Sequence, residues 1–137
     1  MMQSASDDDW SDLIQQAKVA RDRAYAPYSR FAVGAALRTV SGEVFSGCNV
    51  ENLSFGLTSC AERNAVFAAI QAGQRNFIAI AVVADSKTAV TPCGACRQVL
   101  AEFGSNLVVV TANLEGASFT SSIAELLPRS SEGILGT

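Results

Sequence analysis

The sequence predicts a single α/β domain in which helices cover both faces of a sheet. Its 137 residues fit one hydrophobic core, because 49% are apolar and 17% are charged. Segments with helical spacing alternate with short apolar segments of the kind found in strands. The order helix, two strands, helix, strand, helix and strand predicts three layers, with the sheet between the helices.

The amino-terminal segment divides into a predicted tail and a predicted helix. Residues 1–8 are largely polar and acidic, which predicts a flexible tail and leaves residues 9–137 as one folded domain. Apolar residues then recur at helical spacing as far as Ala24. We therefore expect an amphipathic helix over residues 9–24 that ends before Pro27.

The middle of the chain contains a predicted hairpin. Two apolar segments, Val33 to Arg38 and Val44 to Asn49, flank the turn signal Ser41-Gly42. Short apolar segments around a serine-glycine turn are typical of two antiparallel strands.

A buried helix and a buried strand follow. Residues 60–72 are apolar on nearly all sides, with Ser59 as a suitable N-cap and Gly73 as the residue that ends the helix. Ile78 to Ala84 is continuously apolar, which predicts a central strand covered on both faces.

The last third of the chain holds the remaining elements. Pro92 predicts the first helical position of a helix over residues 92–103. A further strand is predicted at Leu107 to Thr111. Ser122 to Glu125 has the capping-box pattern of a short helix, which stops at Pro128.

Charge and composition exclude several classes of function. The net charge of -3 and the isoelectric point of about 4.8 argue against a nucleic-acid partner, which needs a basic surface. The longest apolar run, residues 78–84, is too short to cross a bilayer, and the acidic amino terminus lacks the apolar region of a signal peptide. We expect a cytoplasmic protein without membrane contact, whose cysteines bind metal instead of forming disulfides.

Two short segments carry the predicted chemistry, in a chain without histidine. Cys60-Ala61-Glu62 and Pro92-Cys93-Gly94-Ala95-Cys96 supply three thiols and one carboxylate. Three protein ligands leave the fourth position of zinc open to water or substrate, as in catalytic sites. Helix amino ends lower thiol pKa values and favour the thiolates that bind metal. The pattern predicts one Zn²⁺ per chain on Cys60, Cys93 and Cys96, in preference to a redox CxxC pair.

The chain resembles the cytidine deaminase family in its three-cysteine form. CAE and PCGAC stand where zinc deaminases have HxE and PCxxC. The resemblance extends to YAPYSRFAVGAAL at 25–37, GCNVENLSFGLTSCAERNAVFAA at 47–69 and PCGACRQVLAEFG at 92–104. It implies the family's three-layer αβα fold with a mixed five-stranded sheet, and a homotetramer. The implied activity is zinc-dependent deamination of cytidine, and of deoxycytidine, to uridine and ammonia in pyrimidine salvage.

The resemblance also implies roles for single residues. Glu62 would move protons between water and the base, and Arg63 would hydrogen-bond the thiolates. The matching substrate-binding positions are Phe31, Asn49, Glu51 and Ala61, with Phe55 contributed by a neighbouring subunit. Phe31 would pack beside the pyrimidine, whereas Asn49 and Glu51 would bind the ribose hydroxyls. From the residues alone, however, Phe31 could belong to the core and Asn49 could cap a loop.

Other candidate site residues could also have purely structural roles. Glu62 forms an SxxE capping box with Ser59, and the sequence does not separate capping from catalysis. Arg63 could be a solvated surface arginine, and Arg97 fits either role. Cys48 is expected to pack in the core.

Two positions depart from the family pattern. Phe55 stands where most members have tyrosine, which removes a hydroxyl contact. The phenylalanine usual shortly after Leu126-Leu127-Pro128 is missing, because Arg129-Ser130-Ser131 follows. We expect both changes to affect affinity and not the reaction type.

Three other functions compete with the deamination of a free nucleoside. A deaminase of a cytosine-bearing nucleoside antibiotic shares the chemistry, but the intact NVEN segment at 49–52 favours an ordinary nucleoside. A nucleic-acid deaminase is disfavoured by the acidic isoelectric point. A structural zinc module needs a fourth protein ligand, for which Cys48 is the spare thiol.

Overall fold

The computed structural model of the chain describes residues 2–130, with side chains from residue 10 onward. A mixed sheet with the strand order β2-β1-β3-β4-β5 forms the middle layer. The strands are β1 (Val33–Thr39), β2 (Val44–Cys48), β3 (Phe77–Ala84), β4 (Val108–Ala112) and β5 (Ser118–Ser122). The helices are α1 (Met2–Arg21), α2 (Ala61–Gln71), α3 (Gly94–Ala101) and α4 (Ile123–Leu126). The predicted three-layer α/β fold with five strands is confirmed.

The direction of the strands brings two helix amino ends together. β1 pairs antiparallel with both β2 and β3, so β2 and β3 run in the same direction. β3 pairs parallel with β4, and β4 pairs antiparallel with β5. The carboxyl ends of β2 and β3 therefore lie at the same edge of the sheet, where open α/β sheets bind their ligands. The next helix along the chain is α2 after β2 and α3 after β3, so both helices start from this edge.

The central strand β3 separates two apolar clusters, as predicted for a strand covered on both faces. Ile80 and Val82 face the layer formed by α2, α3 and α4. Ala79, Ala81 and Val83 face α1 on the other side of the sheet. Small residues on this second face allow α1 to lie close to the strands.

Glycine at position 47 allows α2 to pack directly on β2. A Cβ atom there would lie 2.5 Å from the Ala65 nitrogen and 2.6 Å from the Ala61 oxygen. Such distances are too short for carbon, so any larger residue would push the first turns of α2 away from the sheet. Since this part of α2 carries Glu62, Gly47 helps to position the site.

The first helix has different bounds from those predicted. α1 begins at Met2, within the segment predicted to be a tail, and it ends at Arg21 instead of residue 24. It ends early because the Tyr25 amide donates to the Asn49 carbonyl at 2.9 Å, which draws the chain towards Val50. The flexibility of residues 1–8 and the division of the chain into tail and domain stay predictions.

The helices of the predicted metal site also start later than expected. The N-cap of α2 is Cys60 instead of Ser59, because Ser59 pairs with Val50 in an antiparallel bridge. α3 starts at Gly94, so Pro92 lies before the N-cap Cys93 instead of at the first helical position. Both corrections move a cysteine from the first turn of a helix to the capping position.

The carboxyl-terminal part contains one element that the residue pattern did not place. β5 reads Ser-Phe-Thr-Ser-Ser, which lacks the apolar signal of a strand, and it lies at the edge of the sheet beside β4. The predicted capping box between Ser122 and Glu125 is confirmed at the start of α4. Among residues 2–130, no helix has the length and apolar character needed to span a membrane.

Candidate metal centre and substrate cavity

Three cysteine sulfurs meet where α2 and α3 begin. Cys60 and Cys93 are the N-caps of the two helices, and neither makes a side-chain capping hydrogen bond. Cys96 is buried in the first turn of α3. The Cys60 Sγ lies 3.9 Å from that of Cys93, which is 3.4 Å from that of Cys96. All three sulfurs lie within 4.8 Å of one another.

This arrangement fits a zinc ion with three protein ligands. Tetrahedral zinc with Zn–S bonds of about 2.3 Å places its sulfurs about 3.8 Å apart. The separations of 3.4 and 3.9 Å in the cluster are close to that value. Cys48 is half-buried at the end of β2, and neither it nor any other cysteine or carboxylate among residues 10–130 joins the cluster. A structural zinc site with four cysteines is therefore inconsistent with the described part of the chain.

The surroundings of the cluster shift the pKa values of two of its cysteines in opposite directions. A hydrogen bond with Cys96 and the neighbouring Arg63 guanidinium lower the pKa of Cys60 to about 5. The same hydrogen bond, together with burial, raises the pKa of Cys96. Arg63 is not a solvated surface residue, because its Nη2 donates to the Cys60 Sγ at 3.3 Å. Zinc binds deprotonated cysteine, so the lowered pKa of Cys60 assists metal binding, whereas zinc must displace a proton from Cys96.

Glu62 lies in the first turn of α2 and is only 5% exposed. Burial, with a smaller contribution from the Cys60 thiolate, raises the pKa of Glu62 to about 7. The capping interpretation is wrong, because the Ser59 amide donates to the Val50 carbonyl at 2.9 Å and is not available to Glu62. A carboxyl group with this pKa can both accept and donate a proton at neutral pH.

A cavity of about 310 Å³ opens in front of Cys60 and Glu62. Its size lies within the range typical of small-molecule sites. The predicted residues that line it are Phe31, Asn49, Glu51, Cys60, Ala61 and Glu62. The structure thus brings together residues from three separate segments of the chain.

Asn49 and Glu51 hold the loop that precedes β1. The Asn49 Oδ1 accepts from the Val33 amide at 2.9 Å, and its Nδ2 donates to the Phe31 carbonyl at 2.8 Å. The Glu51 carboxylate accepts from the Ser29 hydroxyl and from the amides of Ser29 and Tyr28. These bonds, chiefly those from Ser29, lower the pKa of Glu51 and keep it ionised.

The structure gives evidence on the alternative roles that the sequence left open for Asn49 and Phe31. The expected loop-capping role of Asn49 is present, because both ends of its amide hold the backbone. One of the two Nδ2 hydrogens remains for a ligand. Phe31 is 40% exposed and lines the cavity, so it is not a core residue.

Phe55 is the one predicted substrate-binding residue that does not line this cavity. It lies on a 3₁₀ turn at Phe55–Leu57 and is 73% exposed. Its ring contacts that of Tyr28 edge-on, with 6.2 Å between the ring centroids. Phe55 therefore lies beside the loop bound by Glu51 and is not part of its own cavity.

One part of the cavity wall was not predicted. Val90 and Thr91, from the segment between β3 and α3, also line the cavity. This segment begins near Asn113, whose buried Nδ2 donates to the carbonyls of Ser86 and Lys87, both at 2.9 Å. Asn113 follows β4, far along the chain from the motifs, so the sequence contains no signal for this contact.

Comparison with known proteins agrees with this geometry. The protein-family model for the cytidine and deoxycytidylate deaminase zinc-binding region matches residues 7–112 of the chain. A cytidine deaminase of Sporosarcina psychrophila is 50% identical over 121 residues, which cover 88% of this chain and 89% of that protein. One of Halalkalibacterium halodurans is 54% identical over 117 residues, with coverage of 85% and 89%.

A solved structure shows the same fold. The crystal structure of cytidine deaminase from Burkholderia pseudomallei has 55% sequence identity and a TM-score of 0.84 to this chain. The match covers 86% of this chain and 95% of that one. Together with the three-cysteine cluster, these similarities show that the chain belongs to the zinc-binding cytidine and deoxycytidylate deaminase family.

Proposed function

We propose that the chain catalyses the hydrolytic deamination of cytidine, and of deoxycytidine, to uridine and ammonia. The observation that carries this proposal is a cavity of about 310 Å³ lined by the buried Glu62 and by Cys60, which belongs to the three-cysteine cluster. Similarity to cytidine deaminases over most of the chain supports the substrate class. We place the reaction in cytoplasmic pyrimidine salvage, with a free nucleoside as substrate and no nucleic-acid partner.

Cys60, Cys93 and Cys96 are the residues that hold zinc. Bound zinc lowers the pKa of water and so supplies a nucleophile at neutral pH. Arg63 partly offsets the negative charge of the three thiolates through its contact with the Cys60 sulfur.

Glu62 moves the protons of the reaction. It accepts a proton from the attacking water and passes it to N3 of the cytosine ring as the C4–O bond forms. It then accepts the remaining proton of the hydroxyl group added at C4 and transfers that proton to the exocyclic amine as the C4–N4 bond breaks. Ammonia leaves, and C4 keeps a carbonyl oxygen. The pKa of about 7 suits both directions, and burial keeps bulk water from the carboxyl group.

The cavity wall orients the nucleoside. Phe31 offers its exposed ring to the pyrimidine, beside Ala61 at the amino end of α2. Asn49 donates its remaining amide hydrogen to a ribose hydroxyl, and Glu51 accepts from another. Because the loop holds both side chains in place before substrate arrives, little conformational entropy is lost on binding.

An assay of ammonia release from cytidine tests the proposed reaction. The zinc-loaded chain should produce equal amounts of uridine and ammonia, whereas Cys60→Ala, Cys93→Ala and Cys96→Ala variants should lose zinc and activity together. A zinc-replete chain that releases no ammonia from cytidine or deoxycytidine would reject the proposal. Parallel assays with a cytosine-bearing nucleoside antibiotic and with single-stranded DNA distinguish the competing deaminases.

The ribose contact has its own test. Glu51→Ala should raise KM for cytidine more than it lowers kcat, since the lost contact is to the sugar and not to the reacting ring. Glu102→Ala, at the exposed carboxyl end of α3, is the matched control. Unchanged kinetic constants for cytidine in Glu51→Ala would remove this residue from the ribose site.

A further inference from the structure

The guanidinium of Arg97 connects three parts of the chain beside the metal centre. Its Nε donates to the Pro92 carbonyl at 2.8 Å, and its Nη2 donates to the Thr91 Oγ1 at 2.9 Å. Its Nη1 donates to the Leu126 carbonyl at 2.8 Å. Each of the three nitrogens thus has an oxygen acceptor, which fixes the orientation of the planar group.

Two of these acceptors belong to residues 91 and 92, which connect the substrate cavity to the metal centre. Thr91 lines the substrate cavity, and Pro92 directly precedes the cysteine ligand Cys93. The segment lies outside any helix or strand, so no backbone ladder determines its position. The bonds from Arg97 therefore restrain both the cavity wall and the backbone that carries the Cys93 sulfur.

The third acceptor links this segment to the last helix. Leu126 is the final residue of α4, which follows the edge strand β5. Arg97 itself lies in the first turn of α3, directly after the ligand Cys96. Through one side chain, the carboxyl-terminal helix is thus joined to the segment between β3 and α3.

We infer that Arg97 is a positioning residue, which holds Thr91 and Cys93 in the geometry needed by substrate and zinc. This inference deepens the proposed function and rests on it. The role differs from that of Arg63, whose Nη2 contacts a sulfur and whose charge acts on the thiolate. The hydrogen bonds of Arg97 go to two backbone carbonyls and to the Thr91 hydroxyl, all of them uncharged acceptors. The planar shape of the guanidinium therefore matters more for this role than its charge.

Substitutions that separate shape from charge test the inference. Arg97→Lys keeps the positive charge, but a single ammonium group does not replace a planar group that spans three acceptors. Arg97→Met keeps most of the length and removes both charge and donors. We expect both variants to release zinc to a coloured chelator about 10 to 100 times faster than the parent chain. The KM for cytidine should rise in both, because the Thr91 wall is no longer held.

The control and a milder variant complete the experiment. Arg75→Lys, in the exposed connection beyond the far end of α2, should change neither zinc release nor KM. Thr91→Val removes only the Nη2 acceptor and nearly preserves side-chain volume, so it gives a readout even if the Arg97 variants do not fold. We expect it to raise KM for cytidine several-fold, with little change in the melting temperature.

Several outcomes would overturn the inference. Parental zinc release in Arg97→Lys, with fast release in Arg97→Met, would show that Arg97 acts through its charge. Parental zinc release in both, or a parental KM in Thr91→Val, would show that the three hydrogen bonds do not position the site. Absence of ammonia release by the parent chain would reject the proposed function, whereas zinc release would still test the restraint on Cys93.

Discussion

The pKa values of two glutamates at the cavity are shifted in opposite directions because their surroundings differ. Glu62 is buried, which raises its pKa to about 7. Glu51 accepts hydrogen bonds from Ser29 and Tyr28, which lower its pKa. Titratable groups whose pKa values are pushed apart in this way commonly have different catalytic tasks. One carboxyl is thus suited to proton transfer, and the other is suited to permanent charge beside the sugar.

Replacement of Glu62 by glutamine tests the proton transfer. The amide has nearly the same shape but carries no exchangeable acid proton, so kcat should fall by about 10² to 10⁴. Zinc content and the melting temperature should stay close to those of the parent chain, because Glu62 does not cap its helix. Turnover of the zinc-replete Glu62→Gln protein within a few-fold of the parent rate would contradict the assignment.

Arg63→Gln should make zinc binding more sensitive to acid. Arg63 helps to lower the pKa of Cys60 to about 5, so its loss raises that pKa. Zinc must displace the thiol proton, and protons compete better as pH falls below the thiol pKa. For each unit by which the Cys60 pKa rises, zinc affinity near pH 6 should fall up to about tenfold, with a smaller change at pH 9. Competition with a chelator at both pH values measures the zinc affinity. Equal zinc affinities for variant and parent at pH 6 would refute the role of Arg63 in lowering the Cys60 pKa.

At the scale of elements, the site depends on how closely α2 approaches the sheet. The helix carries Cys60 at its N-cap and Glu62 in its first turn, and it packs on β2 at Gly47. β2 in turn pairs with β1, whose preceding loop is held by Asn49. The position of the Glu62 carboxyl group therefore follows from strand pairing and from one glycine.

Gly47→Ala is expected to displace α2. A methyl group 2.5 Å from the Ala65 nitrogen forces the helix outward, at a cost of about 1 to 3 kcal/mol in the free energy of unfolding. Zinc should also be released faster, because Cys60 moves with the helix. Gly94→Ala is the control, since a Cβ there meets no atom within 4 Å. Urea unfolding of both variants measures this cost. A decrease below about 0.5 kcal/mol in the free energy of unfolding of Gly47→Ala would show that the sheet accommodates the methyl group.

At the scale of the whole molecule, an apolar surface lies next to the cavity. Leu53, Phe55 and Leu57 are 77%, 73% and 72% exposed, and Phe55 contacts the ring of Tyr28. Exposed apolar side chains that cluster in this way are typical of contact sites between proteins. This surface supports the homotetramer that the family resemblance implies, in which Phe55 would enter the cavity of a neighbouring subunit.

Phe55→Ala tests the tetramer and the shared cavity together. The variant should raise KM for cytidine and shift the sedimentation profile towards smaller species at micromolar concentration. Phe119→Ala, on the exposed edge strand β5, is a matched control for the loss of a surface ring. A parent chain that sediments as a fully active monomer would reject the tetramer, and a parental KM in Phe55→Ala would reject the shared cavity.

The sequence by itself determined the fold class and the proximity of two of the clustered cysteines. CxxC places Cys93 and Cys96 within one helical turn, so their proximity follows from local geometry alone. The continuous apolar run of β3 and the capping box at Ser122 are also local signals, and both are confirmed. Such features depend on neighbours in the chain, which the sequence displays directly.

Only the tertiary structure decided which distant groups meet. It removed the capping role of Glu62 by pairing Ser59 with Val50, and it gave Arg97 three acceptors, one of them at the end of α4. It also placed the polar edge strand β5, which has no apolar pattern of its own. Burial and hydrogen bonding depend on contacts between residues far apart in the chain, and these contacts exist only once the strands have paired and the helices have packed.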